Sequence, residues 1–423
     1  MTTTATTIRP AIHRQRLLDR FLEYVKIETT ADPTATTYPS SLGQLELGKL
    51  LVRHLRSLGL IDAFQDASGL VWGTIPATDG GGSATVALLA HLDTSPESPG
   101  GNVRPRVIPS YAGGDIELGN DQVIRRCDTP ELEGLRGKTL ITTDGTTLLG
   151  GDDKAGVAIL VELAAHLMEH PYLPHGEIRL LFTCDEEVGR GTEKIDLNQV
   201  NAFVAYTLDG GGAGQLDVET FSADSARVTF RGTNIHPSIA KGRMVNAVRA
   251  ASDFVDRLPR ATLAPESTEG RDPFLHPYAI EGTVASASVQ LLLRSFDTAQ
   301  LVDLAAIIRQ HAAATAADFP GIETSIAIQA QYRNLRDGLR HLPEAIELAK
   351  QGFANLGRRC EETIIRGGTD GSQLTEKGLP TPNLSSGQYN IHSLKEFACL
   401  DEMVEAVEHL VELLSLWSDK GRS

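Results

Sequence analysis

Sulfur, positive charge and long apolar runs are all scarce in this chain, and each shortage removes a class of protein. The four cysteines among 423 residues (Cys127, Cys184, Cys360 and Cys399) are scattered, with no CxxC pair. That spacing excludes a disulfide framework and fits reduced thiols in a cytoplasmic protein. Acids outnumber bases by 55 to 39, a formal net charge of −16, which argues against nucleic acid and anionic membrane surfaces as partners. No apolar stretch approaches the ~20 residues that a membrane-spanning helix needs. The opening residues, 1–7, are Thr-rich and polar rather than basic and then apolar, so no secretory signal is expected there. No internal repeat or long low-complexity linker stands out. What remains is an ordinary globular composition, 41% hydrophobic and 22% charged, in a chain long enough for two domains with separate cores.

The chain is organised around residues 148–156, Leu-Leu-Gly-Gly-Asp-Asp-Lys-Ala-Gly. Adjacent carboxylates repel, so Asp152 and Asp153 want something positive beside them, although an isolated Asp pair also makes a helix cap. Behind them Val157, Leu160, Val161 and Ala164 form one apolar helical face. Three further acid or His clusters each close an apolar, strand-like run. Residues 85–90 are apolar throughout, as in a strand covered on both faces, and deliver His91-Leu92-Asp93, with 91 and 93 pointing the same way. Residues 177–183 run straight into Cys184-Asp185-Glu186-Glu187, and 202–208 end at Asp209.

The remaining pattern predicts helices over 14–26, 45–58, 343–353 and 400–417, a strand over 70–75, and an irregular excursion with short strands over 97–145. Strands alternating with helices imply an α/β fold, a mostly parallel sheet flanked by helices with ligands at the strands' carboxyl ends. Beyond about residue 216 the pattern changes. Strands over 226–231, 281–296 and 325–332 alternate with helices over 245–258 and 298–314, a smaller inserted α/β domain. The expected division is a catalytic domain of residues 1–217 and 334–423 around an inserted lid of residues 218–333.

Each cluster is weak alone. His91-x-Asp93 is a metal ligand with its orienting carboxylate, or a commonplace pair. Glu186 and Glu187 form a solvated face, or one acid binds metal while its neighbour handles a proton. Asp209 is a turn residue before three glycines, or a ligand; His392 is structural, or a ligand. Together they make a mixed nitrogen and oxygen donor set that suits a pair of zinc or manganese ions, a two-metal hydrolase.

The runs His91-Leu92-Asp93-Thr94-Ser95-Pro96, Gly151-Asp152-Asp153-Lys154-Ala155-Gly156 and Cys184 to Gly191 resemble the M20 metallopeptidases. Tyr206 to Gly211, Asn234-Ile235-His236-Pro237, Arg366 to Gly371 and Tyr389-Asn390-Ile391-His392 carry the resemblance over nearly the whole chain. It implies a zinc-peptidase-like catalytic domain holding two Zn2+ ions per subunit, with Mn2+ or Co2+ as substitutes. His91 and Asp209 would hold one ion, Glu187 and His392 the other, and Asp152 would bridge them, with a cis peptide bond after it. Asp93 would support the ligands from behind and Glu186 would be the general base. His236 would stabilise the oxyanion, Arg294 and Arg366 would contact the peptide's carboxylate, and Asn246 and Asn390 would add polar contacts. A pairing of Arg294 with Asp297 and a simple turn at His236-Pro237 are the alternatives. Closure of the lid would bring His236 and the arginines onto a small peptide substrate.

The implied reaction is release of the N-terminal residue from tripeptides. The same family fold also hosts dipeptidases, carboxypeptidases and N-acyl amino acid amidohydrolases, and a binding protein without turnover is a further alternative. A homodimer through the lid's sheet edge is compatible with the pattern. Gly151 stands where the family pattern leads one to expect alanine.

Overall fold

The computed structural model describes residues 10–420, so the Thr-rich start lies outside the described residues. The chain forms two compact units, one of Met1–Val218, Leu339–Thr363 and Lys377–Ser423, the other of Glu219–Gly338 and Ile364–Glu376.

An eight-stranded sheet underlies the first unit, in the order Phe64–Gln65, Val71–Ile75, Ile178–Thr183, Val86–His91, Val204–Gly210, Asn383–Ser385, Gln215–Thr220 and Glu361–Ile365. The strands from Ile178–Thr183 to Asn383–Ser385 run parallel, whereas Phe64–Gln65, Val71–Ile75 and Gln215–Thr220 pair antiparallel. A mostly parallel sheet is therefore right for the centre only, and the whole sheet is mixed. One reason is local: Phe64–Gln65 and Val71–Ile75 are joined by a tight turn through Gly69 (φ 94°), and a short connection permits only antiparallel pairing.

The helix Gly151–Glu169 packs on the strands Val86–His91 and Val204–Gly210 and under the helices Arg14–Tyr24 and Leu400–Lys420. Every residue from Gly151 to Leu167 is buried, so the single apolar face expected from the sequence understates its surroundings. Its polar members are paired: Glu162 receives Arg16 at 2.7 Å and Arg20 at 2.8 Å, which fastens the first helix to it. Within the 97–145 excursion, Arg106–Ile108 and Leu140–Thr142 join Phe397–Cys399 and Gln388–Tyr389 in a four-stranded sheet. That sheet fixes the loop carrying His392.

The second unit is a four-stranded antiparallel sheet, ordered Phe274–Gly282, Ser286–Ser295, Ser222–Arg231 and Glu323–Tyr332, covered by the helices Ala247–Arg257 and Gln300–Asp318. The strand expected over 281–296 is present as Ser286–Ser295, the second strand of a hairpin whose first, Phe274–Gly282, was not expected. Pro277 disguises that first strand, which lies at the sheet edge where a missing N–H is tolerated, with a register shift between Pro277 and Ala279. The unit also takes in residues 364–376, placed with the catalytic segments by the sequence pattern, because the Phe221 N–H donates to the carbonyls of Ile365 and Gly367. Among the described residues no helix is long and apolar enough to cross a membrane.

Candidate metal centre

Strand register assembles the centre. His91 lies opposite Thr183 and Leu89 opposite Thr207, so three adjacent parallel strands end on one edge of the sheet. They present His91, the turn holding Glu186 and Glu187, and Asp209 side by side. Asp152 comes from the helix start, where Asp152 and Asp153 leave helical geometry and the peptide bond between them is cis. Gly156 permits the close approach of helix and strand: a Cβ there would lie 2.3 Å from the Leu208 carbonyl oxygen.

The two oxygens of Asp152 face two imidazoles. His91 Nε2 is 2.9 Å from Oδ1 and His392 Nε2 is 3.1 Å from Oδ2. His392 Nε2 also lies 2.9 Å from Glu187 Oε2, and Asp209 Oδ1 lies 3.9 Å from His91 Nε2. Two donor groups result, His91–Asp152–Asp209 and Asp152–Glu187–His392, each with ligand atoms within 4.8 Å of one another and sharing Asp152.

Electrostatics show what the arrangement needs. Burial, and then the charge of Asp152, push Glu187 up to about 7 and raise Asp209 well above the usual carboxylate range. Burial would also raise Asp152, but hydrogen bonds to His392 and His91 hold it below that range. Burial works against protonated His392, yet Asp152 and Glu187 raise it to about 11. These acids thus take up positive charge from any source, and Glu187 Oε1 is buried without a hydrogen-bond partner. Two imidazoles and two carboxylates around one shared carboxylate fit a pair of divalent cations.

Asp93 ties the parts together. Its Oδ1 accepts the Glu186 N–H at 3.1 Å and its Oδ2 the Glu187 N–H at 3.0 Å. His91 Nδ1 lies 3.1 Å from its carbonyl oxygen and 3.4 Å from Oδ1. One buried side chain thereby orients the His91 imidazole and the turn carrying two acids.

Several supports were not evident in the sequence. Asp185, in left-handed geometry (φ 62°), accepts the Ser40 N–H and the Gln44 amide at 2.8 and 2.7 Å and so anchors the acid turn. Asp153 turns away from the ligand atoms and accepts the His91 N–H at 3.0 Å. Asn383 accepts the Asp209 N–H at 3.0 Å, and the Gln388 amide donates to Asp209 Oδ1 at 3.1 Å. Glu97 Oε2 lies 3.3 Å from His392 Nδ1, as Asp93 lies near His91. Of these, Asp153 was already singled out with Asp152 as an acid pair, and Asp185 stands in the acid run beside Glu186.

The first unit therefore brings together His91, Asp93, Asp152, Glu186, Glu187, Asp209 and His392. Asn390, in left-handed geometry (φ 51°), donates to Thr129 Oγ1 and the Lys395 carbonyl and shapes the His392 loop. The other singled-out residues belong to the second unit and are engaged there. Asn246 Oδ1 caps the helix Ala247–Arg257 by accepting from Val248 and Arg249. Arg294 is buried, donates to the carbonyls of Asp224 and Leu293, and lies 5.5 Å from the Tyr332 ring. Arg366 donates to the Gly270 and Asp272 carbonyls and Thr268 Oγ1, 5.2 Å from the Phe221 ring. His236 is exposed, with Nδ1 2.7 Å from Ser238 Oγ at the start of a short 3-10 turn.

Fold and centre together define a dinuclear metallohydrolase. Residues 144–416 match the model of peptidase family M20/M25/M40. A peptidase T of Geobacillus thermodenitrificans is 42% identical over 409 residues, covering 96% of this chain and 99% of its own. A solved tripeptidase of Staphylococcus aureus superposes with a TM-score of 0.76 at 22% identity, covering 97% of this chain and 100% of its own. The YXEP protein of Bacillus subtilis, described as a dinuclear metal binding peptidase from the M20 family, has a TM-score of 0.64 at 14% identity, over 96% and 98% of the two chains. The chain belongs to peptidase family M20 and, within it, to the peptidase T group.

Proposed function

We propose that this chain removes the N-terminal residue from tripeptides, using two zinc ions held by His91, Asp209, Glu187, His392 and the shared Asp152. The observation that carries the reading is the pinned acid pair: Glu187 points at His392 and Asp152, while its neighbour Glu186 is fixed through the same Asp93 carboxylate. When bound, the two cations polarise the scissile carbonyl and acidify the attacking water. Glu186, half-buried and one residue from a ligand, takes the proton from that water and passes it to the leaving amine. Asp93 keeps the His91 ring and the Glu186 backbone in place through both transfers. Arg294, Arg366 and Asn246 are engaged by main-chain groups of their own unit. Four free cysteines suit the cytoplasm.

The test compares a free tripeptide, the same peptide acetylated at its N-terminus and a matching dipeptide, all with metal-loaded protein. Cleavage of the free tripeptide alone, releasing its first residue, is expected. Preferred cleavage of the dipeptide or the blocked peptide would transfer the same centre to another M20 substrate class.

A further inference from the structure

Glu396 takes no part in the chemistry described so far, yet it is 1% exposed and three backbone donors converge on it. Its Oε2 accepts the Leu149 N–H at 2.7 Å and the Gly150 N–H at 2.8 Å, and its Oε1 accepts the Asp152 N–H at 3.0 Å. All three donors belong to the turn that sets the backbone of Asp152, in which Gly150 is left-handed (φ 75°). Such a turn has no helical or strand partner for these N–H groups, so their direction depends on what receives them. A carboxylate suits this place because it offers two acceptor oxygens and no hydrogen. An amide does not: whichever way it turns, an N–H meets an N–H. Gly151 belongs to the same arrangement, since a Cβ there would come within 3.2 Å of Glu396 Oε1.

Glu396 also stands on the loop that carries His392. Asn390, which shapes that loop, donates to the carbonyl of Lys395, the residue before it. One side chain thus couples the loop of one ligand to the backbone of the ligand common to both donor groups.

We propose that Glu396 is a positioning residue that sets the Asp152 carboxylate between the two donor groups. Shifting Asp152 would weaken both groups at once, an effect that a neighbour of any single ligand does not have. The inference rests on the reading of Asp152 as the shared ligand.

The test titrates Co2+ into metal-free wild type, Glu396→Gln and Glu396→Asp, followed by calorimetry and visible absorption, with kcat and KM measured beside it. Wild type should bind two equivalents. Glu396→Gln should bind at least one of them about 10- to 100-fold more weakly, the range for supporting residues at metal sites. Its absorption spectrum should change and kcat should fall while KM stays near wild type; Glu396→Asp, keeping both oxygens, should recover part of the affinity. A folded Glu396→Gln protein with wild-type Co2+ affinity and spectrum would overturn the proposal. So would failure of both variants to fold by circular dichroism, which would make Glu396 a part of the fold alone. Wild type binding fewer than two equivalents would instead overturn the dinuclear reading beneath it.

Discussion

Replacing Asp93 by asparagine is the sharpest perturbation of the centre, because it removes one charge and no volume. The buried carboxylate receives the N–H groups of Glu186 and Glu187 at 3.1 and 3.0 Å, one on each oxygen. Asparagine keeps one acceptor oxygen and turns an NH2 group toward the other donor. A hydrogen bond to a charged group contributes about 1.5–3 kcal/mol, and a buried unpaired N–H costs a similar amount. The His91 imidazole, 3.4 Å from Oδ1, loses its charged neighbour as well. If about 2 kcal/mol of this appears in the transition state, kcat/KM falls about 30-fold, at 1.36 kcal/mol per decade. The assay is kcat/KM on a tripeptide, with metal affinity and urea unfolding measured on the same preparation. A kcat/KM within twofold of wild type, at unchanged metal affinity, would refute the joint role given to Asp93.

Two further outcomes test the fold that holds the centre. Gly156→Ala should lower the unfolding temperature and weaken metal binding, since its Cβ would lie 2.3 Å from the Leu208 carbonyl oxygen and 2.5 Å from Asp153 Oδ1. Overpacking of about 1–3 kcal/mol outweighs the helix propensity gained over glycine, about 1 kcal/mol; an unfolding temperature equal to or above wild type would contradict this. Burial of His409, whose Nε2 lies 2.8 Å from the Ala349 carbonyl oxygen, lowers its pKa from 6.5 to about 4. The unfolded chain then binds a proton that the folded chain refuses, so stability is full above pH 6.5 and falls as pH drops toward 4. The loss is up to about 3 kcal/mol, and urea midpoints at pH 7.5 and 4.5 should differ less in His409→Gln than in wild type.

What could be read from the sequence followed from the physics of strand ends. Apolar runs without polar alternation had to be covered on both faces, and the residues just beyond them, His91, Glu186, Glu187 and Asp209, had to gather on one edge. Asp152 was legible because two adjacent acids before a helix need a counter-charge. His392 became legible only through the motif around it, since it sits in an irregular loop (φ 60°) with no periodic pattern. The strand Phe274–Gly282 was hidden by Pro277, a signal that argues against a strand unless its edge position is known. Asn246 caps a helix and Arg366 donates to backbone carbonyls, uses that a sequence does not distinguish from substrate contacts. Glu396 left no trace, because its partners are main-chain N–H groups, which look alike in every sequence.

The most direct measurement is made on Glu186→Gln, loaded with metal and given a free tripeptide. Two bound metal ions, a KM near wild type and a kcat reduced by about 10²- to 10⁴-fold are expected of a lost general base. Turnover within a few-fold of wild type, with both metals bound, would contradict the role of Glu186 and with it the proposed chemistry of the centre.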